Sequence, residues 1–284
     1  MPYTLSNLIR DALQNMGRSA YIMVKSTGTG STTTFVDTTI DIDVLDADSA
    51  EDATLLITFD AAGASAAPEN EFNRISSMTE SSFTLTVDTA FTVAPAAGDE
   101  AMVISNEFPL IELKRIANAT LKDLGYFPLK DVTLTSAANQ TEYTCPTGID
   151  PANITRIEYQ GYTDDADDNQ WVTVSNWSYR RLTPSGNTIL ILPQLTASRT
   201  IAISYMGPHP AVTAYSSVID RAVSPRHASW AMAAALWAWK GPNDTQQKER
   251  ANLALQKTAE YEVKDGVSKP QKAANWFVLG ERNE

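Results

Sequence analysis

Two short amphipathic helices flank a long β-rich stretch, and this arrangement constrains the fold more than any other feature. The first helix is predicted over residues 5–16, where apolar residues recur at helical spacing along a single stripe. The second is predicted over residues 109–124 and also has one apolar face. An isolated helix of about twelve residues is marginal in water. We therefore expect both helices to pack in one core, which the intervening chain leaves and re-enters.

The intervening stretch is predicted to be an inserted β-domain, a small barrel or sandwich. Its strand-like runs are four to seven residues long, rich in β-branched and aromatic residues, and separated by turn formers such as "TGTG" and "PAAGD". The predicted boundaries are residues 20–105 for this domain, and residues 1–19 with 106–284 for a helical and β core domain that ends in a C-terminal tail.

A second antiparallel β-unit is predicted over residues 129–205. The run "TILILP" is apolar at nearly every position, which indicates a strand covered on both faces, whereas "RTIAISY" alternates. The fold class is therefore α+β: a small helical core with a second antiparallel β-unit, plus the inserted N-terminal β-domain.

The C-terminal part returns to helices and ends in a tail. In the helix "PRHASWAMAAALWAWKG", Trp230, Trp237 and Trp239 lie around the circumference, which predicts burial within the subunit or against a neighbour. A final charged helix runs to about Val263. The last twenty residues contain an apolar cluster that we expect to dock on another surface. Its members are Trp276, Phe277, Val278 and Leu279.

Charge and composition exclude several classes of protein. The net charge is −12, and residues 1–105 hold fifteen acidic but only four basic side chains. Such a segment is unsuited to gripping phosphates. No apolar run approaches the roughly 18–20 residues of a membrane span, and the first residues lack the pattern of an export signal. The single cysteine, Cys145, cannot form an internal disulfide. We expect a soluble protein in a reducing cytoplasm, with no membrane contact.

The sequence offers no convincing catalytic, cofactor or metal site, so we expect a protein that is not an enzyme. His209 and His227 lack partners at metal-ligand spacing. Two acidic runs, residues 41–52 and 164–169, carry the oxygen ligands that calcium prefers. The second matches the first ligand positions of an EF-hand but lacks its glycine and glutamate. This excludes an EF-hand and leaves another kind of calcium site open.

Several segments occur in a familiar order. They are "LSNLIRDALQNMG", the β stretch ending in "PAAGDEAMVISNEFP", "LKRIANATLKDLGY" followed by "TEYTCP", and "DRAVSPRHASWAMAAALWAWKG" before a charged terminal helix. In this arrangement the chain resembles the head-to-tail adaptor proteins of tailed bacteriophages, also called neck or connector proteins. The resemblance covers most of the chain.

The resemblance implies a structural virion protein of the neck, assembled in the host cytoplasm. Such proteins form a homo-oligomeric, typically dodecameric ring below the portal, and DNA passes through this conduit without specific binding. The implied partners are the portal protein and tail or other neck proteins. Helices and C-terminal extensions typically make the portal contact, which nominates the cluster of residues 276–279 as an anchor on the portal or on a neighbouring subunit.

Two other classes stay open. The first is another phage tail or neck structural protein, such as a tail-completion or receptor-binding protein. Trp171, Trp177 and Tyr179 would then form a platform for stacking sugars, although the same residues also suit ordinary sheet packing. The second is a hydrolase on a β scaffold, since the chain has 34 carboxylates and sequence alone does not exclude an acid and base pair.

Overall fold

The chain folds as a mixed α+β protein, which confirms the predicted class. The computed structural model describes residues 2–17, 20–63, 66–162, 170–182, 187–241 and 244–264. Within these residues there are five α-helices and thirteen strands, and the strands form antiparallel sheets. Contacts divide the chain into two units, one with residues 2–124 and 210–264, the other with residues 125–209. No helix in the described part of the chain is long and apolar enough to cross a membrane.

Four helices form the body of the first unit. They are α1 (Leu5–Met16), α3 (Leu110–Asp123), α4 (Pro225–Lys240) and α5 (Thr245–Lys264), and the fifth helix is the short α2 (Ala47–Ala50). Both α1 and α3 pack on α4, and they also contact each other. The two helices that flank the β-rich stretch therefore belong to one helical body, as their single apolar faces predict.

Helix α1 shows how the sequence specifies this body. The Thr4 hydroxyl caps its start by accepting from Asn7 N at 3.3 Å, and Gly17, with φ of 92°, ends it by donating to the Gln14 and Leu13 carbonyls. The apolar stripe between these caps is fully buried. It consists of Leu5, Leu8, Ile9, Ala12 and Leu13.

The β-rich stretch forms one six-stranded antiparallel sheet in the order β1-β6-β3-β4-β5-β2. Its strands are β1 (Tyr21–Lys25), β2 (Thr34–Val36), β3 (Thr54–Phe59), β4 (Phe72–Thr79), β5 (Thr84–Val87) and β6 (Glu100–Ile104). The strands of this sheet and the adjoining loops bury one apolar core, which includes Phe35, Leu55, Ile57, Ile75 and Leu85.

The sheet is open among the described residues, because β1 and β2 stand at opposite ends of the strand order. Near the ends of β1 and β2, Thr27 N donates to Val36 O at 2.9 Å, Thr38 N donates to the Thr27 hydroxyl at 2.9 Å, and Lys25 N donates to the Asp37 carboxylate at 2.8 Å, but the two strands do not pair. The predicted barrel is therefore not closed. The division by contacts groups this sheet with the helices rather than apart from them. A separate inserted domain over residues 20–105 stays a prediction.

The second unit consists of two antiparallel sheets with a shared core. Its strands are β7 (Tyr126–Thr135), β8 (Glu142–Thr144), β9 (Ile154–Tyr162), β10 (Gln170–Thr173), β11 (Ser178–Arg181), β12 (Thr188–Ile191) and β13 (Thr200–Pro208). The sheet orders are β10-β9-β13-β7 and β11-β12-β8. Tyr143, Ile157, Leu190 and Ile201 meet in the core between them. The inner strand β13 buries Ala202 as well as its neighbours, so the alternating "RTIAISY" is covered on both faces.

Truncating a core residue of α1 tests whether this helix is integral to the body. Leu13 is fully buried, so Leu13→Ala should lower the free energy of unfolding by about 2–5 kcal/mol. The exposed neighbour Gln14 gives a matched control, and Gln14→Ala should change it by less than about 0.5 kcal/mol. Denaturant unfolding measures both. Equal effects of the two substitutions would mean that α1 is not packed as described.

Candidate interaction surfaces

The first acidic run has local structural uses. The Asp46 carboxylate caps α2 by accepting from Ser49 N at 2.8 Å, and hydrogen bonds from Ser49 lower the pKa of Asp46. Asp41 accepts from Asp43 N at 3.0 Å, and Asp52 pairs with Arg74. Among the described residues no group of three or more His, Cys, Asp or Glu side chains could hold a metal ion. The second run, residues 164–169, lies outside the described residues.

Both histidines lie in packed positions. His209 is 8% exposed and meets Phe127 edge-on, with ring centroids 6.0 Å apart. His227 is 6% exposed in the first turn of α4, where its backbone N–H donates to the Ser224 hydroxyl at 3.3 Å. This placement agrees with the structural role expected for each.

Cys145 is partly buried beside the core of the second unit. Its Sγ lies 3.8 Å from the Ile149 carbonyl oxygen. Burial raises the pKa of the thiol, and the nearby Asp131 and Asp150 carboxylates raise it further. A raised pKa disfavours the nucleophilic thiolate at neutral pH.

The Trp-rich helix α4 divides its three tryptophans between the body and the surface. Trp237 is 5% exposed, and the Arg250 guanidinium of α5 lies 4.8 Å from its ring. Trp239 is half-buried, with its ring centroid 6.4 Å from that of Phe108, and Trp230 is also half-buried. Burial within the subunit therefore accounts for Trp237, while Trp230 and Trp239 keep surface that a neighbour can contact. Their role at an interface stays a prediction.

The helical body also presents apolar side chains to solvent. Ile111 on α3 is 76% exposed, and Leu253, Leu255 and Val263 on α5 are 57%, 54% and 82% exposed. Helix α5 packs on α4 through the buried Ala251 and Ala254, which lie on a different face from Leu253. The predicted anchor, residues 276–279, follows α5 but lies outside the described residues.

The three aromatic residues of the sugar-platform alternative do not share one sheet. Trp171 lies on β10 in the four-stranded sheet, and Tyr179 lies on β11 in the three-stranded sheet. The Lys130 ammonium lies 4.3 Å from the Trp171 ring centroid, and Trp177 packs against the core. The positions favour packing over a common stacking platform.

A groove of about 670 Å³ runs beside strand β1. Strand β1 forms one wall and residues 37–45 form the other. Ile40 and Leu45 are buried beneath it, whereas Met23 and Val44 are 42% and 56% exposed at its rim. Apolar surface at the rim of a sheet edge is a feature of peptide-binding sites.

Two buried carboxylates fix the chain next to β1, and one of them, Asp37, lines the groove. Asp37 is 2% exposed and accepts hydrogen bonds from Lys25 N at 2.8 Å and Thr39 N at 2.9 Å. Asp99 is fully buried and accepts from Ala61 N at 2.9 Å and Ala96 N at 2.8 Å. Because backbone donors satisfy both carboxylates, their charges fix turns around β1.

Comparison with known proteins identifies no relative: no protein-family model, curated protein or solved structure matches the chain.

Sequence reasoning missed the groove, although one signal for it is present. Residues 41–44 read Asp-Ile-Asp-Val, an alternation of acidic and apolar side chains that are all exposed. The groove itself depends on which strand stands at the sheet edge, and strand order is not a local property of the sequence.

The raised pKa of Cys145 predicts a slow and pH-shifted reaction with thiol reagents. Alkylation by iodoacetamide should rise with pH along a curve whose midpoint lies above that of a free cysteine, because burial disfavours the thiolate. Denaturant should remove the shift, and mass spectrometry of the alkylated peptide follows both reactions. A native midpoint at or below that of the unfolded chain would show that Cys145 is an activated thiol.

Proposed function

We propose that this chain is a structural virion protein, a head-to-tail adaptor that forms a homo-oligomeric ring below the portal of a tailed bacteriophage. The observation that carries the proposal is the packing of α1 and α3 on α4. The chain leaves this helical body at Met16, builds an acidic sheet, and returns at Leu110. This arrangement is the one on which the resemblance to adaptor proteins rests. In this proposal residues 20–105 are an inserted β-domain.

Surface features support a role in assembly. Half-buried Trp230 and Trp239 and the exposed apolar residues of α3 and α5 are available for contacts with other subunits. Partly exposed aromatic residues are the usual anchors of protein interfaces. The ring stoichiometry follows from the closure of one repeated contact. The portal protein and tail or other neck proteins are the proposed partners.

The charge distribution supports a conduit through which DNA slides. Residues 1–105 carry fifteen acidic and four basic side chains. Ion pairs such as Lys25–Glu100 and Arg74–Asp52 do not change this balance, so the segment carries a net charge of −11. A negative wall repels phosphates and does not retain DNA.

Altering the apolar tail cluster should prevent assembly on the portal without unfolding the protein, whether the cluster contacts the portal itself or the neighbouring subunit of the ring. In the full chain, Phe277→Asp combined with Leu279→Asp places two charges where the anchor is expected, and burying unpaired charges is unfavourable. Asn176→Asp, at an exposed position, and Asn283→Asp together add the same charge outside residues 268–280 and serve as the control. Size-exclusion chromatography with the purified cognate portal measures the complex, and circular dichroism measures the fold. Undiminished complex with the first variant would contradict the anchor.

The conduit role predicts weak contact with DNA. Fluorescence anisotropy of a labelled duplex should show no saturable binding by the protein at physiological salt, because the chain lacks a basic patch in its acidic segment. A basic protein of similar mass provides the positive control. Tight binding that weakens steeply with added salt would show phosphate contacts that the proposal does not allow.

A further inference from the structure

We propose that the groove beside β1 receives the C-terminal tail of a second copy of this chain, which adds a strand to the six-stranded sheet. This inference rests on the proposed function, because it names the contact that links one subunit of the ring to the next. The occupant is residues 268–280, "SKPQKAANWFVLG".

The backbone of β1 offers the hydrogen bonds that an added strand needs. Strand β1 is the last in its sheet, so no other strand of the described residues lies on its outer side. Ser26 N donates to Asp99 O at 2.8 Å, and hydrogen-bonded residues alternate along an antiparallel pair. The N–H and C=O groups of Tyr21 and Met23 therefore point away from β6, toward the groove. An exposed strand edge of this kind is a template for pairing.

The buried Asp37 sets where the pairing ends. Its carboxylate already accepts the Lys25 N–H at 2.8 Å, which is the next outward-pointing donor after Met23. An added strand thus bonds to Tyr21 and Met23 but not to Lys25 N. Two residues of β1 are enough for a short strand whose side chains settle in the adjacent groove.

The chemistry of the groove matches the tail in both charge and apolarity. Asp41 and Val44 line the groove and are exposed, and the neighbouring Ile42 and Asp43 are exposed as well. Within residues 268–280 two lysines precede four consecutive apolar residues, and no acidic residue is present. The lysines suit the carboxylates, and the apolar cluster suits the groove between Met23 and Val44.

The length of the tail and the head-to-tail contacts that build a ring favour a second copy of the chain as the source of the added strand. Eleven residues, 265–275, separate α5 from Trp276. When extended they span up to about 35–40 Å, so the apolar cluster can extend beyond the helical body of its own subunit. A tail and a groove are different surfaces of one chain, so their contact is head-to-tail, which is the kind of contact that forms a ring when its rotation closes.

A peptide-binding experiment on full-length chains tests the groove. The receptor is Phe277→Asp protein, whose own tail is impaired, and the probe is a fluorescent peptide of residues 268–280. We expect saturable binding by anisotropy. Val44→Lys in this receptor should weaken binding by about tenfold or more, because it places a positive charge against the lysines and the apolar cluster. Val93→Lys, an equally exposed valine outside the groove, should leave binding unchanged.

Circular dichroism and thermal unfolding establish that each receptor is folded, and Met23→Lys, also at the rim of the groove, replaces Val44→Lys if the latter unfolds. The inference is overturned if the peptide does not bind at millimolar concentration, or if the lysine variants inside and outside the groove weaken binding equally. It is also overturned if copies associate through β1 regardless of the tail sequence. If rings form on the portal but the peptide does not bind, the adaptor function is supported and the groove inference fails. If the peptide binds but no rings form, the groove inference is supported and the adaptor function fails.

Discussion

The packing of two amphipathic helices, α1 and α3, on a third helix, α4, is the interaction on which the rest of this structure depends. Neither α1 nor α3 has enough apolar surface to be stable alone, and together with α4 they bury both stripes. Because α1 precedes the six-stranded sheet and α3 follows it, this packing brings the two ends of the sheet back to one place. The chain between the two helices forms this sheet, and its edge strand β1 follows α1 closely in sequence.

The acidic character of the sheet has two physical roles. Some carboxylates are internal: Asp37 and Asp99 are buried, and backbone N–H groups satisfy them where turns meet β1. Others, such as Asp41 and Asp43, remain on the surface and give the segment its negative field. The same composition therefore shapes the groove and disfavours contact with DNA phosphates.

The sequence predicted what depends on local periodicity and missed what depends on strand order. The stripe from Leu5 to Met16 predicted α1 with its caps, since helix spacing and capping are local properties. The apolar run around α4 did not show that Trp237 would be buried while Trp230 and Trp239 kept surface, because that depends on where α5 packs. The groove was also missed, since it exists only because β1 stands at the edge of the sheet. In the sequence, Asp37 and Asp99 are indistinguishable from ordinary turn residues, because the backbone N–H groups that bond to them are brought there by the folded sheet.

The central claim is that this helical body builds a ring on the portal. Electron microscopy of purified portal particles, alone and after incubation with the protein, tests it most directly. An adaptor should add a ring of density below the portal that follows the symmetry of the portal. Portal particles of unchanged shape, with the protein left as free single subunits, would contradict it.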